Sequence, residues 1–205
     1  MVNRQRKQRD KSEMRQSILD VARVLFLEKG YDLTSMRNIA EQVRCSPGTL
    51  YLYFKDKDEI FYALHQEGFS KFLGMMNPLR FVENPFERLK ALGRVYMEFA
   101  LTNKDLYDLM FILQAPMNNE QNEAWEEGQK ALFFLKSVLH DCKAMGMFSN
   151  MDIEHLSFFI WSSMHGMCAL FCRNRCQAYK DHDPVELLEQ GYQVFQKILT
   201  DLNKN

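Results

Sequence analysis

No run of apolar residues approaches the roughly eighteen that a transmembrane helix needs, so we predict no membrane span. No apolar segment follows the charged N-terminus, and we therefore expect no secretion signal and a cytoplasmic location. The five cysteines lack the regular spacing of a disulfide framework, which favours a reducing compartment. Glycine-rich phosphate loops and the HExxH, GxSxG and CxxC motifs are absent, so we predict no enzyme activity, no cofactor and no metal.

Charge is almost balanced over the whole chain, at −1, but it is unevenly distributed. Residues 1–57 hold twelve Lys and Arg against seven Asp and Glu, whereas the rest holds fourteen against twenty. A basic N-terminal part on an acidic body is typical of a protein that meets nucleic acid at one end. Residues 1–11 carry five cations and one acid, which predicts a flexible arm that follows phosphates or enters a minor groove. A solvated tail without a DNA contact is the alternative.

The segment TSMRNIAEQVRCSPGTLYLYFKDK, residues 34–57, predicts two short helices joined by a tight turn. Thr34 and Ser35 suit the start of the first helix because their hydroxyls accept from unpaired N–H groups. Ser46 suits the cap of the second, and Pro47 is well tolerated at a first helical position. This is the pattern of a helix-turn-helix, although a generic helical hairpin has the same apolar spacing.

The residues expected to face outward on the second helix are small or hydrogen-bonding, and few are the usual Glu and Lys of a solvated surface. Small residues allow a close approach to a duplex, and Thr and Tyr can meet phosphates or thymine methyl groups. We predict that Arg37, Thr49 and Tyr51 read bases, and that Thr34, Tyr53 and Lys57 hold phosphates. The full predicted DNA interface is Thr34, Ser35, Arg37, Arg44, Ser46, Pro47, Gly48, Thr49, Tyr51, Tyr53 and Lys57.

Residues 12–64 resemble the DNA-binding domain of the tetracycline-repressor (TetR) family. The resemblance rests on ILDVARVLFLEKGYDLTSMRNIAEQV followed by SPGTLYLYFKDKDEIFYAL. It implies a homodimeric DNA-binding regulator with a helical ligand-binding body. One departure lies in the turn, where the family often has Gly and an aliphatic residue and this chain has Arg44 and Cys45. Arg44 enters a left-handed conformation less cheaply than Gly, and it is a candidate phosphate contact instead.

The remaining sequence predicts helices throughout and no period-2 strand of useful length. We therefore predict an all-α fold of about nine helices, with a helix-turn-helix domain over 12–57 and a ligand-binding and dimerisation domain over 58–205. The helices outside the helix-turn-helix are predicted over 12–29, 58–76, 85–103, 105–114, 121–144, 153–176 and 184–203.

The last predicted helix has two apolar stripes, and two stripes imply burial on two sides. The helix before it is apolar on nearly every side. Together they predict a four-helix dimer interface, with a single large monomeric core as the alternative. The predicted interface is the stripe Leu188, Tyr192, Phe195 and Leu199. The neighbouring stripe is Leu187, Gly191, Val194 and Ile198.

The region beyond residue 60 holds most of the chain's sixteen Phe and thirteen Met, which suits an irregular apolar pocket. Its stretch WSSMHG resembles a Trp…His-Gly signature of one C-terminal subgroup of the family. His165 could orient a ligand, and a hydrogen-bonded core histidine is the alternative. The predicted ligand contacts, each of which could equally be plain core, are Phe72, Met76, Tyr96, Phe99, Tyr107, Met110, Phe111, Phe133, Trp161 and His165.

Three cysteines, Cys168, Cys172 and Cys176, follow His165 along one side of a single predicted helix. A thiol sensor is one interpretation, but one helix supplies at most two adjacent ligands to one ion, and buried cysteines usually behave as small hydrophobes.

The sequence thus predicts a ligand-responsive regulator, most simply a repressor. Its partners would be double-stranded operator DNA, a small hydrophobic effector and a second copy of the chain, with no membrane. The alternative from another class is a helical enzyme or carrier of hydrophobic molecules that does not bind an operator. The missing acid/base and nucleophile motifs weigh against that alternative.

Overall fold

The structure is a computed structural model that describes residues 2–113 and 126–202, with side chains from residue 11 onward. Within these ranges it contains nine α-helices, two short 3₁₀ helices and no strand, which confirms the all-α prediction. The α-helices are α1 Val2–Lys29, α2 Met36–Val43, α3 Pro47–Leu50, α4 Lys57–Met76, α5 Pro85–Thr102, α6 Lys104–Phe111, α7 Glu126–Ala144, α8 Ile153–Cys172 and α9 Pro184–Leu202. The 3₁₀ helices are Asn77–Phe81 and Arg175–Ala178.

Two helix boundaries differ from the sequence prediction. The first helix begins at Val2 and not near Ser12, so the backbone of the predicted arm continues α1. The eighth ends at Cys172, four residues early, and Asn174 then takes a left-handed conformation with φ of 55° before the second 3₁₀ helix. Two predicted boundaries lie outside the described residues, namely the end of α6 at Gln114 and the start of α7 at Gln121.

The chain divides into two compact units, Met1–Phe69 with Asp105–Ala124, and Ser70–Lys104 with Trp125–Asn205. The first unit therefore contains α1 to α3, most of α4 and nearly all of α6. The domain boundary that the motif predicts after residue 57 stays a prediction of where the DNA-binding part ends.

The first unit is built around fully buried side chains from α1, α2, α3 and α4, among them Phe26, Ile39, Leu50 and Ile60. Helix α1 ends because Gly30 adopts φ of +83°, which is a favourable conformation only for glycine. This turn brings Tyr31 back over Phe26, with ring centroids 5.6 Å apart. Tyr31 also contacts the Phe61 ring of α4, with centroids 5.2 Å apart, so the end of α1 and the first turns of α4 are held together.

The second unit packs α5 against α7 and α8, and α8 against α9. Asn84 caps α5 by accepting the N–H groups of Phe86 and Glu87. Asp152 caps α8 by accepting the N–H of His155 at 3.0 Å. Such caps satisfy backbone donors that the first turn of a helix leaves unpaired, so both helices start at a fixed residue.

Candidate DNA interface and effector site

The start of α2 is fixed by reciprocal hydrogen bonds between Ser35 and Asn38. The Ser35 hydroxyl accepts the Asn38 N–H at 3.2 Å, and the Asn38 side chain accepts the Ser35 N–H at 3.2 Å. This capping box uses two donors that would otherwise be unpaired. It leaves Arg37, on the first turn, exposed to solvent.

The turn between α2 and α3 is closed by Arg44 in the left-handed conformation, with φ of 61° and ψ of 42°. Its N–H bonds to the Glu41 carbonyl at 3.1 Å, and the Cys45 N–H bonds to the Ala40 carbonyl at 3.0 Å. This conformation is less favourable for Arg44 than for glycine, and the backbone nevertheless adopts it. The two hydrogen bonds and the ends of both helices determine the turn, at a cost of about 1–2 kcal/mol relative to glycine.

Helix α3 has only four residues, and a serine caps its start. Ser46 caps it by accepting the Thr49 N–H at 3.0 Å, and the Ser46 and Thr49 hydroxyl oxygens lie 2.8 Å apart. Pro47 occupies the first helical position, as predicted. Leu50 is fully buried, whereas Tyr51 is 55 % exposed. Tyr51 is therefore free to contact a duplex while Leu50 anchors the helix.

Gly48 has unoccupied space beside it. A Cβ built on Gly48 would meet only the Ser46 Oγ, at 3.7 Å, which is an ordinary contact. Its backbone is also outside the positive-φ region that favours glycine. Internal packing does not require a glycine at this position.

The phosphate contact predicted for the Thr34 side chain is wrong, because the folded chain buries that side chain. Thr34 is buried, and its hydroxyl donates towards the Gly30 carbonyl at 2.8 Å, with the Leu25 carbonyl at 3.2 Å. The side chain therefore satisfies carbonyls at the end of α1 and does not face solvent. Ser35, the next residue, is the cap of α2.

Lys57 lies at the start of α4 and contacts the loop after α1. Its ammonium donates to the Tyr31 carbonyl at 2.7 Å and lies 4.0 Å from the centre of the Tyr31 ring. The Tyr31 hydroxyl donates to the Asp58 carboxylate. Burial, and then the hydrogen bond and charge of Asp58, raise the pKa of Tyr31. Lys57 keeps further N–H donors, and its phosphate contact stays a prediction.

In the second unit, several predicted ligand contacts form an aromatic group. The Phe72 ring packs on Tyr96 and Phe99, with centroids 5.6 Å and 5.1 Å away. The Tyr96 hydroxyl lies 3.3 Å from Nδ1 of His165, and burial lowers the pKa of His165. Trp161 lies one turn earlier on α8 and is partly buried. A ligand role for this group, as opposed to a core role, stays a prediction.

Three other predicted ligand contacts belong to the first unit, where they pack between α4 and α6. Tyr107 and Phe111 have ring centroids 5.3 Å apart, and Phe69 contacts Phe111 at 5.6 Å. A Cβ built on Gly68 would lie 2.4 Å from the Met110 sulfur, so α6 approaches α4 very closely there. Helical periodicity revealed that these side chains are buried but not which helix they meet.

A cleft of about 870 Å³ opens in the second unit between the end of α4, the start of α5 and α7. Met76 and Phe133 from the predicted ligand contacts line it, and Phe133 is 72 % exposed. The cleft is also lined by arginines and lysines, which were not among the predicted ligand contacts. Its full lining is Leu73, Met76, Asn77, Arg80, Arg88, Glu126, Gln129, Lys130, Leu132, Phe133, Phe134, Lys136 and Ser137.

The dimer stripe predicted on α9 is wrong because its residues belong to the core of this chain. Leu188, Tyr192, Phe195 and Leu199 are all buried without a partner chain. The Tyr192 hydroxyl donates to the Lys90 carbonyl of α5, and its ring lies where a side chain on Gly93 would stand. The neighbouring stripe is the exposed one, since Val194 and Ile198 face solvent, as do Phe158, Phe159 and Leu170 of α8.

Two family descriptions match this chain. The helix-turn-helix region, residues 18–64, matches the bacterial regulatory proteins of the tetR family. Residues 89–195, more than half of the chain, match the tetracyclin repressor-like C-terminal domain. The chain belongs to the TetR family. It is accordingly related to DNA-binding transcriptional regulators with a helix-turn-helix, for which repression is typical.

The curated relatives of this TetR-family chain include a helix-turn-helix-type transcriptional regulator of Staphylococcus aureus. It is 30 % identical over 99 residues, which cover 48 % of this chain and 54 % of the relative. The chain thus spans about half the length of the curated relatives it matches. The comparison supports the regulator class.

Solved structures share the fold over most of their length. The regulator FadR of Bacillus subtilis, in complex with stearoyl-CoA, matches with a TM-score of 0.70 at 21 % identity, covering 87 % of this chain and 96 % of that one. The fatty acid degradation regulator FadR of Bacillus halodurans matches with a TM-score of 0.69 at 20 % identity, covering 89 % and 94 %. At these identities the likeness is one of fold.

The cysteines of this TetR-family body are poor candidates for a sensor. Cys168 and Cys176 are buried, and the Cys172 Sγ lies 3.6 Å from the Ala100 carbonyl. Burial raises the pKa of the Cys168 thiol to about 12, which keeps it protonated and unreactive.

Throughout residues 11–113 and 126–202, no three His, Cys, Asp or Glu side chains are grouped to hold a metal. Nor is any helix in those ranges long and apolar enough to cross a membrane.

Two features of this TetR-family chain have only weak signals in its sequence. The cations of the cleft come from residues 80, 88, 130 and 136, which no local motif connects. His65 is buried beside the Phe61 ring, and its Nε2 lies 2.7 Å from the Leu109 carbonyl of α6. For His65, the available signal was a histidine that directly follows the apolar residues 60–64 of α4.

Proposed function

We propose that the protein is a homodimeric repressor that binds a palindromic operator and is released from it by a small hydrophobic effector. The observation that carries the DNA part is the exposed surface of α2 and α3. Arg37, Arg44 and Tyr51 are exposed around Gly48, whose missing side chain the internal packing does not require. A backbone without a side chain at that point suits close contact with a duplex.

In this proposal α3 lies in the major groove. Arg37, Thr49 and Tyr51 contact base edges, and Tyr53 and Lys57 hold phosphates. The Thr49 hydroxyl is held in place because it lies beside that of Ser46. Phosphate contacts fix the position of the protein, and base contacts give sequence preference.

We infer that the homodimer forms through the exposed faces of α8 and α9. Val194 and Ile198 lie one turn apart on α9, with the small Gly191 on the same face, and Phe158, Phe159 and Leu170 are exposed on α8. Large exposed apolar faces are uncommon in monomers. A second copy offers the same face, as two-fold symmetry requires, and a two-fold dimer reads a palindrome.

For the effector, the aromatic group of Phe72, Tyr96 and Phe99 offers apolar surroundings with His165 as a polar group. The Bacillus subtilis neighbour was solved with stearoyl-CoA, and the Bacillus halodurans neighbour is a fatty acid degradation regulator. We therefore propose a long-chain acyl compound as the effector class. Such a compound releases DNA if it binds the DNA-incompetent dimer more tightly than the competent one.

The operator half of the proposal is tested by selecting bound sequences from a random duplex pool with the full chain. The expected product is a pseudo-palindrome whose half-sites lie about one helical turn or more apart. Binding that enriches no sequence would refute operator recognition and favour a carrier without DNA function.

The effector half is tested by fluorescence anisotropy of the selected DNA, titrated with stearoyl-CoA and with palmitate. Release by either is expected. His165→Ala should change the concentration needed for release but leave operator affinity without effector within a few-fold, because coupling between sites is typically about 1–3 kcal/mol. Failure of both compounds to release DNA would contradict the proposed effector class.

A further inference from the structure

The cleft at the end of α4 is unusual among apolar ligand sites because one part of its wall is cationic. Arg80, Arg88, Lys130 and Lys136 line it, with Glu126 as the one acid among its described lining residues. Its volume of about 870 Å³ lies within the range of about 300–1,000 Å³ for small-molecule sites. The cleft is therefore large enough for a ligand and has a definite sign of charge.

Two of the four cations are held by carboxylates of neighbouring helices. The Arg88 guanidinium donates to Asp141 at 2.8 Å and to the Val82 carbonyl at 2.9 Å. Lys136 pairs with Glu154 of α8. These contacts fix the two side chains in position, so they provide a positive wall without being the most available donors.

Of the other two cations, Arg80 is the one that its contacts leave available to an anion. Arg80 is exposed on the 3₁₀ helix Asn77–Phe81, and it makes no ion pair within the described ranges of the chain. Lys130 pairs at 2.7 Å with Glu126, one turn away on α7, but both side chains are largely exposed. Exposed pairs of this kind contribute little and rearrange readily. A carboxylate or phosphate could therefore take a bidentate contact with Arg80, in a cleft wall that Lys130 also lines.

The rest of the cleft wall is apolar. Met76 at the end of α4 is buried, and Leu132 and Phe133 face the cleft from α7. Phe133 remains exposed although it is one of the largest apolar side chains in the unit. An alkyl chain along this wall would cover it, while the head group stays at the cationic end.

We propose that this cleft binds an amphiphile with an anionic head, a carboxylate or a phosphate, held by Arg80, with its tail against the surface of Met76, Leu132 and Phe133. The inference rests on the proposed function, because it gives the effector proposed there a binding surface apart from the aromatic group of Phe72, Tyr96 and Phe99, and a head of defined charge. This amphiphile differs from a purely apolar effector because the charge of its head group contributes to its affinity.

Binding to the full chain, without DNA, is measured by isothermal titration calorimetry with three probes below their micellar concentrations. These are tetradecanoate, tetradecyl phosphate and 1-tetradecanol, which share the alkyl chain and differ in the head. Both anions should bind at least tenfold more tightly than the alcohol. Their relative affinities distinguish a carboxylate from a phosphate head. Equal affinity for all three would overturn the proposal.

Arg80→Gln removes the charge from an exposed side chain, so the variant should fold, which circular dichroism checks. We expect at least a tenfold loss for the anions and little change for the alcohol. Arg175→Gln, an exposed arginine on the other 3₁₀ helix, is the matched control and should bind all probes as wild type does. Phe133→Asp should weaken all three probes. Unchanged anion binding by Arg80→Gln would contradict the assigned site.

The same probes in the DNA-release assay separate this inference from the proposed function. Anion binding that depends on Arg80 but does not release DNA would refute the effector role and leave the site intact. DNA release that does not depend on Arg80 would support the effector role and refute this site.

Discussion

Phe195 and Val194 are consecutive on α9, yet Phe195 is 6 % exposed and Val194 is 59 % exposed. Consecutive helical residues point about 100° apart, which is enough to put one in the core and the other on the surface. Phe195 packs near Tyr192 and Phe159, with ring centroids 6.3 Å and 6.4 Å away. The boundary between the intramolecular core and the proposed dimer face thus runs between these two residues.

The pair gives a sharp test of assembly. Val194→Asp should give a folded monomer, because the charge lies on the proposed dimer face but remains solvated in the single chain. Phe195→Asp should unfold the chain, because a buried charge without a partner is strongly unfavourable. Light scattering after size exclusion measures the mass, and circular dichroism measures the helix content. A Val194→Asp protein that remains dimeric would show that the interface lies elsewhere.

Gly48 tests the close approach to DNA independently of folding. Gly48→Ala should leave stability unchanged or raise it by up to about 1 kcal/mol, since alanine favours a helix and the space beside Gly48 is open. Operator affinity should nevertheless fall several-fold, because the added methyl group separates the backbone from the duplex. Thermal unfolding and DNA titration measure the two effects. Full operator affinity in Gly48→Ala would remove the proposed contact at this residue.

Arg44 separates backbone strain from charge. Arg44→Gly should be about 1 kcal/mol more stable than Arg44→Ala, because only alanine keeps the Cβ that opposes the left-handed conformation. If Arg44 contacts a phosphate, both variants should flatten the dependence of log affinity on log salt by about two, because a dimer loses one contact in each subunit. Urea unfolding and DNA titrations at several salt concentrations provide the comparison. Equal stability of the two variants would mean that the turn carries no such strain.

His65 should make stability depend on pH. Burial lowers the pKa of His65 from 6.5, although its hydrogen bond to the Leu109 carbonyl opposes the shift. The folded chain therefore keeps His65 neutral where the unfolded chain begins to bind a proton. This contribution to stability is present above pH 6.5 and is lost as the pH falls through and below that value.

Burial also lowers the pKa of His165, so two groups act in the same direction. Each can add up to about 1.4 kcal/mol per pH unit to the slope of the free energy of unfolding. Urea unfolding between pH 5 and 8 measures this slope. His65→Gln should reduce it, whereas His155→Gln, at an exposed site, serves as the control. The prediction fails if His65→Gln leaves the slope of the wild type unchanged.

The helices and the helix-turn-helix were predictable from the sequence because their signals are local. Pro47 after Ser46, Gly30 after α1 and Pro85 at the first position of α5 each act on the residues next to them. The orientation of α9 was not predictable in this way. Its two stripes are both apolar, and periodicity does not say which one meets the rest of the chain.

Site residues were harder to predict where the deciding neighbour is distant in sequence. Thr34 looked like a surface cap, but the carbonyls of Leu25 and Gly30 decide its position. Arg80 and Lys130 come together only because α4, the 3₁₀ helix that follows it and α7 meet at one cleft. The left-handed conformation was expected to be costly for Arg44, yet the backbone adopts it there.

In the proposed function a dimer of this chain reads DNA through α3, and substitution of Tyr51 is the sharpest test of this. Quantitative titration of the selected palindrome should give two chains per site. Tyr51→Ala should lose roughly 1–3 kcal/mol of affinity for that site while its non-specific binding stays unchanged. Binding by Tyr51→Ala that is as tight and as selective as that of wild type, or one chain per palindrome, would contradict the account.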